Sequence, residues 1–208
     1  MSIEEAYNSW SKIYDTNVNK TRDLDKEVTI KTLSEYTFDR VLELGSGTGK
    51  NTEYLLQQSI DITCLDFSEE MMAIAREKVK NPIVKFVKTD LNKEWEVSND
   101  FFDLVTCSLT LEHIQDLDTI FKQAYKKLKH QGKFFICELH PIKQYLGSKA
   151  RYETDKGIHE LEVYTHHTTD YIDSAKKQGF KLLELKEWFD ADLENKIPRL
   201  ISFVFQKG

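Results

Sequence analysis

The chain of 208 residues carries 29 basic and 35 acidic side chains, a net charge of -6, and 40% of its residues are hydrophobic. That length and apolar content suit one domain with a sizeable core, and no Pro-, Gly- or Ser-rich linker divides it. The acidic balance supplies no field to attract a polyanion, no apolar run reaches membrane-spanning length, and three cysteines without paired spacing suit free buried thiols rather than a zinc site.

The first residues, Met1-Ser2-Ile3-Glu4-Glu5, lack the basic and apolar regions of a signal peptide, which predicts a cytoplasmic protein. Tyr7, Trp10 and Tyr14 share one helical face, a polar stretch runs from Thr16 to Asp25, and a second helix is predicted from Asp25 to Tyr36. Val41-Leu42-Glu43-Leu44 then reads as a short apolar strand ending in Gly45-Ser46-Gly47-Thr48-Gly49, with helix-compatible sequence from Lys50 to Gln58 behind it. Glycines there let the backbone turn tightly and approach a ligand where a Cβ would collide, while the helix start offers unpaired N–H groups. The spacing is Gly-x-Gly-x-Gly. It departs from the dinucleotide fingerprint, because Lys50 stands where the third small residue belongs and Gly49 comes one place early.

A second strand, Ile60 to Leu65, ends in Asp66, 21 positions after Gly45, where an acidic side chain would meet ribose hydroxyls. Phe67 and Ser68 open a helix containing Glu69, Glu70 and Met71, with Ser68 as its N-cap. A third strand, Ile83 to Lys88, ends in Thr89-Asp90-Leu91, and a fourth, Phe102 to Ser108, runs into Leu109-Thr110-Leu111-Glu112-His113-Ile114. The next helix carries the apolar stripe Leu117, Ile120, Phe121, Ala124 and Leu128 and is predicted to end near Gly132. Lys122, Lys126, Lys127 and Lys129 read as its solvated face. A fifth strand, Lys133 to Glu138, meets Leu139-His140-Pro141, and Cys64, Cys107 and Cys137 all fall inside strands.

The stretch from Pro141 to Thr165, with Tyr145, Arg151, Tyr152, His159 and Tyr164, emerges where open α/β sheets bind ligands. His167 leads into a last helix, then a strand from Phe180 to Lys186 and another from Leu200 to Gln206.

In order and spacing, Glu43 with the three glycines, Asp66, Asp90-Leu91 and the segment after Ser108 resemble the motifs of the class I S-adenosylmethionine (SAM)-dependent methyltransferases. The resemblance covers most of the chain. It implies an α/β, Rossmann-like fold: a doubly wound, seven-stranded, mostly parallel sheet with a terminal antiparallel hairpin strand and helices on both faces. It divides one domain into an N-terminal helical lid segment (1–40), a SAM-binding core (41–140), an acceptor-side insertion (141–166) and a C-terminal helix with strands (167–208). Cofactor contacts are implied for Glu43, Gly45, Ser46, Gly47, Thr48, Gly49, Asp66, Phe67, Met71, Asp90, Leu91 and Ser108, with Trp10 and Tyr14 covering them.

The activity implied is methyl transfer from SAM to a small-molecule N, O, S or C nucleophile, leaving S-adenosylhomocysteine, by a metal-free monomer or homodimer. His113 and His140, each just past a strand's carboxyl end, are the candidate general bases, ahead of Glu138 and His167. Nucleic acid is disfavoured by the charge and by the absence of Asn/Asp-Pro-Pro-Tyr after the fourth strand. Two alternatives stand beside this: a non-catalytic SAM-binding regulator, and an NAD-dependent oxidoreductase of related fold.

Overall fold

The computed structural model describes residues 3–16, 18–148, 151–154, 157–191 and 196–208, with backbone alone for 9, 10, 12, 13, 151–154, 158 and 159. Helix α1 spans Ile3–Tyr14 and α2 spans Lys20–Leu33. The second helix starts earlier than the sequence predicts. Asn19 accepts a hydrogen bond from the Arg22 N–H and caps it, so the polar stretch up to Asp25 lies largely inside the helix.

Strand β1, Arg40–Leu44, leads through the glycine loop into a single turn, α3, Thr52–Leu55. Strand β2, Asp61–Asp66, precedes α4, Glu69–Lys78, which Ser68 caps by accepting from the Met71 N–H. Then come β3, Val84–Lys88, β4, Phe102–Ser108, a 3-10 turn at Leu111–His113, and α5, Leu117–Lys127, capped by Asp116. Strand β5, Leu128–Leu139, is followed by the short α6, Pro141–Tyr145, and by a small hairpin of β6, Arg151–Thr154, and β7, Gly157–Glu160. Helix α7, Thr168–Gln178, stops at Gly179 in the left-handed conformation, and β8, Phe180–Trp188, and β9, Leu200–Lys207, close the chain.

Two predicted features are corrected around β5. The helix does not continue to Gly132. It ends at Lys127, and Leu128, which extends the apolar stripe in sequence, is already extended and pairs with Phe102 in the sheet. Lys127 is not on a solvated face: it is 4% exposed, with Nζ donating to the Val97 carbonyl at 2.8 Å and to Asn99 Oδ1 at 2.9 Å.

The main sheet has seven strands in the order β3-β2-β1-β4-β5-β9-β8. The first five are mutually parallel, and β9 runs antiparallel to both β5 and β8. Along β5, Phe134 and Ile136 face a core built with α5 and α7, while Phe135 and Cys137 face a second core built with α2 and α3. Burial on both faces is why the central strands read as unbroken apolar runs. Cys64, Cys107 and Cys137 are free and buried. Among the described residues no helix is long and apolar enough to cross a membrane. The strand order reverses between β1 and β4, and a crevice opens at their carboxyl ends.

Candidate active site

That crevice is a cavity of about 820 Å³, within the range of roughly 300–1,000 Å³ usual for small-molecule sites. Its wall includes Gly45 and Gly47 after β1, Asp66 and Phe67 after β2, Met71 of α4, and Asp90 and Leu91 after β3. Ser108, Thr110 and His113 close it after β4, and Tyr7 and Tyr14 of α1 cover it.

The three glycines all have positive φ but serve different ends. A Cβ on Gly45 would lie 2.1 Å from Thr110 Oγ1, so this glycine lets the segment after β4 pack against the loop. A Cβ on Gly47 would meet nothing within 4 Å, and the open space beside it is the cavity. Gly49 does not line the cavity; its Cβ would come within 3.1 Å of Ala75, so it brings the loop onto α4.

Asp66 Oδ2 accepts from the Gly47 N–H at 2.7 Å and Oδ1 from the Ser68 N–H at 2.8 Å, tying the glycine loop to the start of α4. Burial pushes its carboxyl up and these N–H donors pull it back. Asp90 Oδ1 accepts from both nitrogens of Asn92 at 3.0 Å, which fixes the turn after β3.

Several predicted cofactor contacts lie elsewhere. Glu43 faces away from the cavity, its Oε2 accepting from Thr52 Oγ1 at 2.6 Å and from the Cys64 thiol at 3.4 Å, and burial pushes it up to about 7. With Ser46 and Thr48 it lines a smaller hollow under the glycine loop. The Thr48 hydroxyl donates to Asp15 Oδ1 at 2.8 Å and so anchors the end of α1. The Trp10 side chain lies outside the described residues.

The two histidines separate. His113 lines the cavity with Nδ1 3.2 Å from the Glu162 carbonyl and Nε2 2.8 Å from the Tyr7 hydroxyl. A carbonyl only accepts, so Nδ1 carries the proton and Nε2 receives the Tyr7 O–H. Burial holds the imidazole below its usual range, hence neutral. His140 is not part of the cavity wall. Its Nδ1 accepts from the Ile142 N–H at 3.2 Å as the cap of α6, and its Nε2 sits 3.0 Å from Glu187 of β8.

The described part of the insertion also stays out of the cavity. It backs the wall instead, through the Glu162 carbonyl on His113, the Tyr164 N–H on the Glu112 carbonyl at 2.7 Å, and Leu161 packed on Ala6. The side chains of Arg151, Tyr152 and His159 lie outside the described residues. Glu138 matters more than its place at the end of β5 suggests. Its Oε1 accepts the N–H groups of both Thr110 and Leu111 at 2.9 Å, and burial pushes its carboxyl up to about 8. No local pattern announces a partnership with backbone 27 residues away.

Residues 42–136 match the family described as a methyltransferase domain. The chain is similar to the malonyl-[acyl-carrier protein] O-methyltransferase of Bacillus cytotoxicus, 29% identical over 135 residues that make up 62% of this chain and 47% of that protein. It is also similar to the protein of the same name from Priestia megaterium, 25% identical over 202 residues, 89% of this chain and 73% of that one. It thus spans about half the length of several curated relatives. Among solved structures, a SAM-dependent methyltransferase from Clostridium acetobutylicum superposes with a TM-score of 0.74 over 98% of this chain and 99% of that one, at 22% identity.

Proposed function

We infer that this chain belongs to the class I SAM-dependent methyltransferase family, and on that premise propose that it moves a methyl group from SAM to a small-molecule nucleophile bound under α1. The observation that carries this is the open space at Gly47, whose φ is +53 and whose absent Cβ faces a cavity with Asp66 alongside. A side chain there would fill the room a nucleoside cofactor needs. Asp66 is suited to the ribose hydroxyls, Asp90 and Leu91 with Phe67 and Met71 to the adenine, and Gly45 with Ser108 to the end nearer the sulfur.

Bound SAM supplies an electrophilic methyl on a sulfonium, displaced in line by the acceptor. The chain's task is to align that acceptor, exclude water and take up a proton where one is released. Tyr7 and Tyr14 roof the cavity. His113 Nε2 receives the acceptor's proton through the Tyr7 hydroxyl, which burial keeps protonated and able to relay. The names of the relatives put an oxygen nucleophile first among those to assay.

Calorimetry with SAM, S-adenosylhomocysteine and NAD, followed by a labelled-methyl assay against a metabolite pool, RNA, DNA and protein, tests the assignment. The expected result is binding of the first two ligands and labelling of a small molecule. NAD binding without S-adenosylhomocysteine binding would sink the cofactor assignment, and salt-sensitive labelling of RNA alone would sink the acceptor class. For a protonated acceptor, His113→Asn should lower turnover by about 10²- to 10⁴-fold with cofactor binding intact.

A further inference from the structure

Glu112 and His113 are neighbours in the chain, and the 3-10 turn Leu111–His113 turns both side chains inward, leaving them 13% and 8% exposed. Glu112 Oε1 stands 3.9 Å from His113 Nε2, the nitrogen that receives the Tyr7 O–H. The carboxyl is otherwise thinly held. Among the described residues no lysine or arginine pairs with it, and Gln144 Nε2 of α6 donates to Oε2 at a long 3.4 Å. A carboxyl this secluded ordinarily has a full set of donors or a cation beside it. Glu112 is not part of the cavity wall, so whatever it does for a ligand there passes through His113.

The turn is fixed from outside. His166 Nε2 reaches the Leu111 and Ile114 carbonyls at 3.1 and 2.7 Å, the Tyr164 N–H holds the Glu112 carbonyl, and Glu138 of β5 accepts the Thr110 and Leu111 N–H groups. The titratable groups around the pair are thus Tyr7 and Tyr14 of α1, Glu138 of β5, Tyr171 of α7, His166 behind the turn and Asp66 across the cavity, with no lysine or arginine among them. A second proton on the imidazole makes a buried cation, and burial disfavours that form unless an opposite charge lies close. Burial holds His113 below its usual range and pushes Glu112 up to about 7, so each is costly to charge alone. Charged together they stabilise each other, because unit charges about 4 Å apart attract strongly where water is scarce.

We propose that Glu112 is the counter-ion of protonated His113, set beside Nε2 to offset the charge that proton uptake creates. As the acceptor's lone pair forms its bond to the methyl carbon, the electron pair of the broken bond stays on sulfur. The acceptor's proton moves to the Tyr7 oxygen, and Tyr7's own proton moves to Nε2. The positive charge lost from the sulfonium reappears on the imidazolium, 3.9 Å from the Glu112 carboxylate. This rests on the role proposed above for His113. The reactive form has Glu112 ionised and His113 neutral, so turnover should rise with pH through about 7, a value that belongs to the pair.

The labelled-methyl assay with the metabolite pool as acceptor, run at saturating SAM from about pH 5.5 to about pH 8.5, tests it. Glu112→Gln keeps the size of the side chain and cannot ionise. It should lower kcat roughly 10- to 100-fold at about pH 8.5, while the KM for SAM and the calorimetric affinity for S-adenosylhomocysteine stay within about two-fold. The rise through about pH 7 should vanish, leaving the acid limb of His113 alone below its ordinary value of about 6.5. Glu112→Asp restores a carboxylate and should recover part of the rate together with a rise near neutral pH. Because Glu112 acts through His113, the double variant Glu112→Gln, His113→Asn should be no slower than His113→Asn alone. A Glu112→Gln chain that keeps both its kcat and the rise, or a double variant slowed by the product of the two single losses, would reduce Glu112 to packing. Full turnover by His113→Asn would instead overturn the proton-acceptor role of His113, and this one with it.

Discussion

Gly45 and Gly47 stand two positions apart at φ of +66 and +53, yet only one of them has a neighbour to strike. Gly45→Ala drives a methyl into Thr110, which adds about 1–3 kcal/mol of overpacking to roughly 1–2 kcal/mol of left-handed strain. Gly47→Ala incurs the strain alone. Thermal unfolding should therefore rank Gly45→Ala as the less stable, while calorimetry should find S-adenosylhomocysteine binding impaired by Gly47→Ala; the reverse stability order would remove the packing role of Gly45. Asp66→Asn keeps a side-chain acceptor for one of the Gly47 and Ser68 N–H groups, so it tests ligand contact more cleanly than alanine. At this scale the sequence reveals residue types but not directions. Glu43 and His140 stand at plausible positions and turn toward Thr52 and Glu187, because strand alternation and a helix cap aim them there. Lys127 has the same history, its ammonium drawn inward by two oxygens distant in sequence.

The segment after β4 depends on a leucine in an uncommon conformation. Leu109 has φ +49, a region that costs a side chain about 1–2 kcal/mol, and the turn it makes carries Ser108, Thr110 and His113 to the cavity. Glu138 holds that turn through the two N–H groups it accepts, so Glu138→Ala should destabilise the chain by about 2–5 kcal/mol in urea unfolding. Glu138→Gln retains an acceptor oxygen and should lose much less, and Leu109→Gly should recover part of the alanine loss. Equal losses for alanine and glutamine would mean that charge rather than acceptance matters. Helix α1 is held differently. The described residues tie it down through Glu4 to Lys88 at 2.8 Å, Asn8 to Ser68 at 2.6 Å, Asp15 to Thr48 and Lys78, and Tyr7 to His113, beside the packing of Tyr7 on Phe67 and of Ala6 on Leu161. If α1 acts as a cover over the bound cofactor, hydrogen exchange over residues 3–16 should slow when S-adenosylhomocysteine binds. Removal of residues 1–18, which spares the Asn19 cap of α2, should abolish turnover while Gly45, Gly47 and Asp66 remain to bind the nucleoside. Unchanged exchange together with full turnover after the deletion would reduce α1 to packing.

The central strands and the carboxylates at their ends were legible because apolar runs buried on both faces and glycine punctuation are written locally, while the seven-stranded, mostly parallel sheet came from the family resemblance. What was not legible depends on contacts far apart in sequence: Leu128 joining Phe102, the insertion backing His113, and the acids gathered beneath the strand ends. Those acids set how the whole molecule responds to pH. Burial is the leading cause in each case, raising Glu43 and Glu112 to about 7 and Glu138 to about 8. An acid whose folded value exceeds its unfolded one, near about 4.3, binds its proton more tightly in the native state. Its contribution is therefore fully present below that value and lost as pH rises through the folded value. His113 opposes this, since its lowered imidazole stabilises the native state as pH rises past its ordinary range, but it is one group against five carboxyls raised by burial, Asp25 and Asp66 included. Asp103, Asp118 and Asp190, all lowered, lose their contribution only as pH falls below about 4, outside this window. The melting temperature of the ligand-free chain should accordingly peak near about pH 5 and fall steadily to about pH 8.5. Glu138→Gln should flatten the upper part of that fall, above about pH 7, because the neutral amide has no proton to lose. A melting temperature that stays level from about pH 5.5 to about pH 8.5 would mean that these carboxyls ionise in the fold as they do in water.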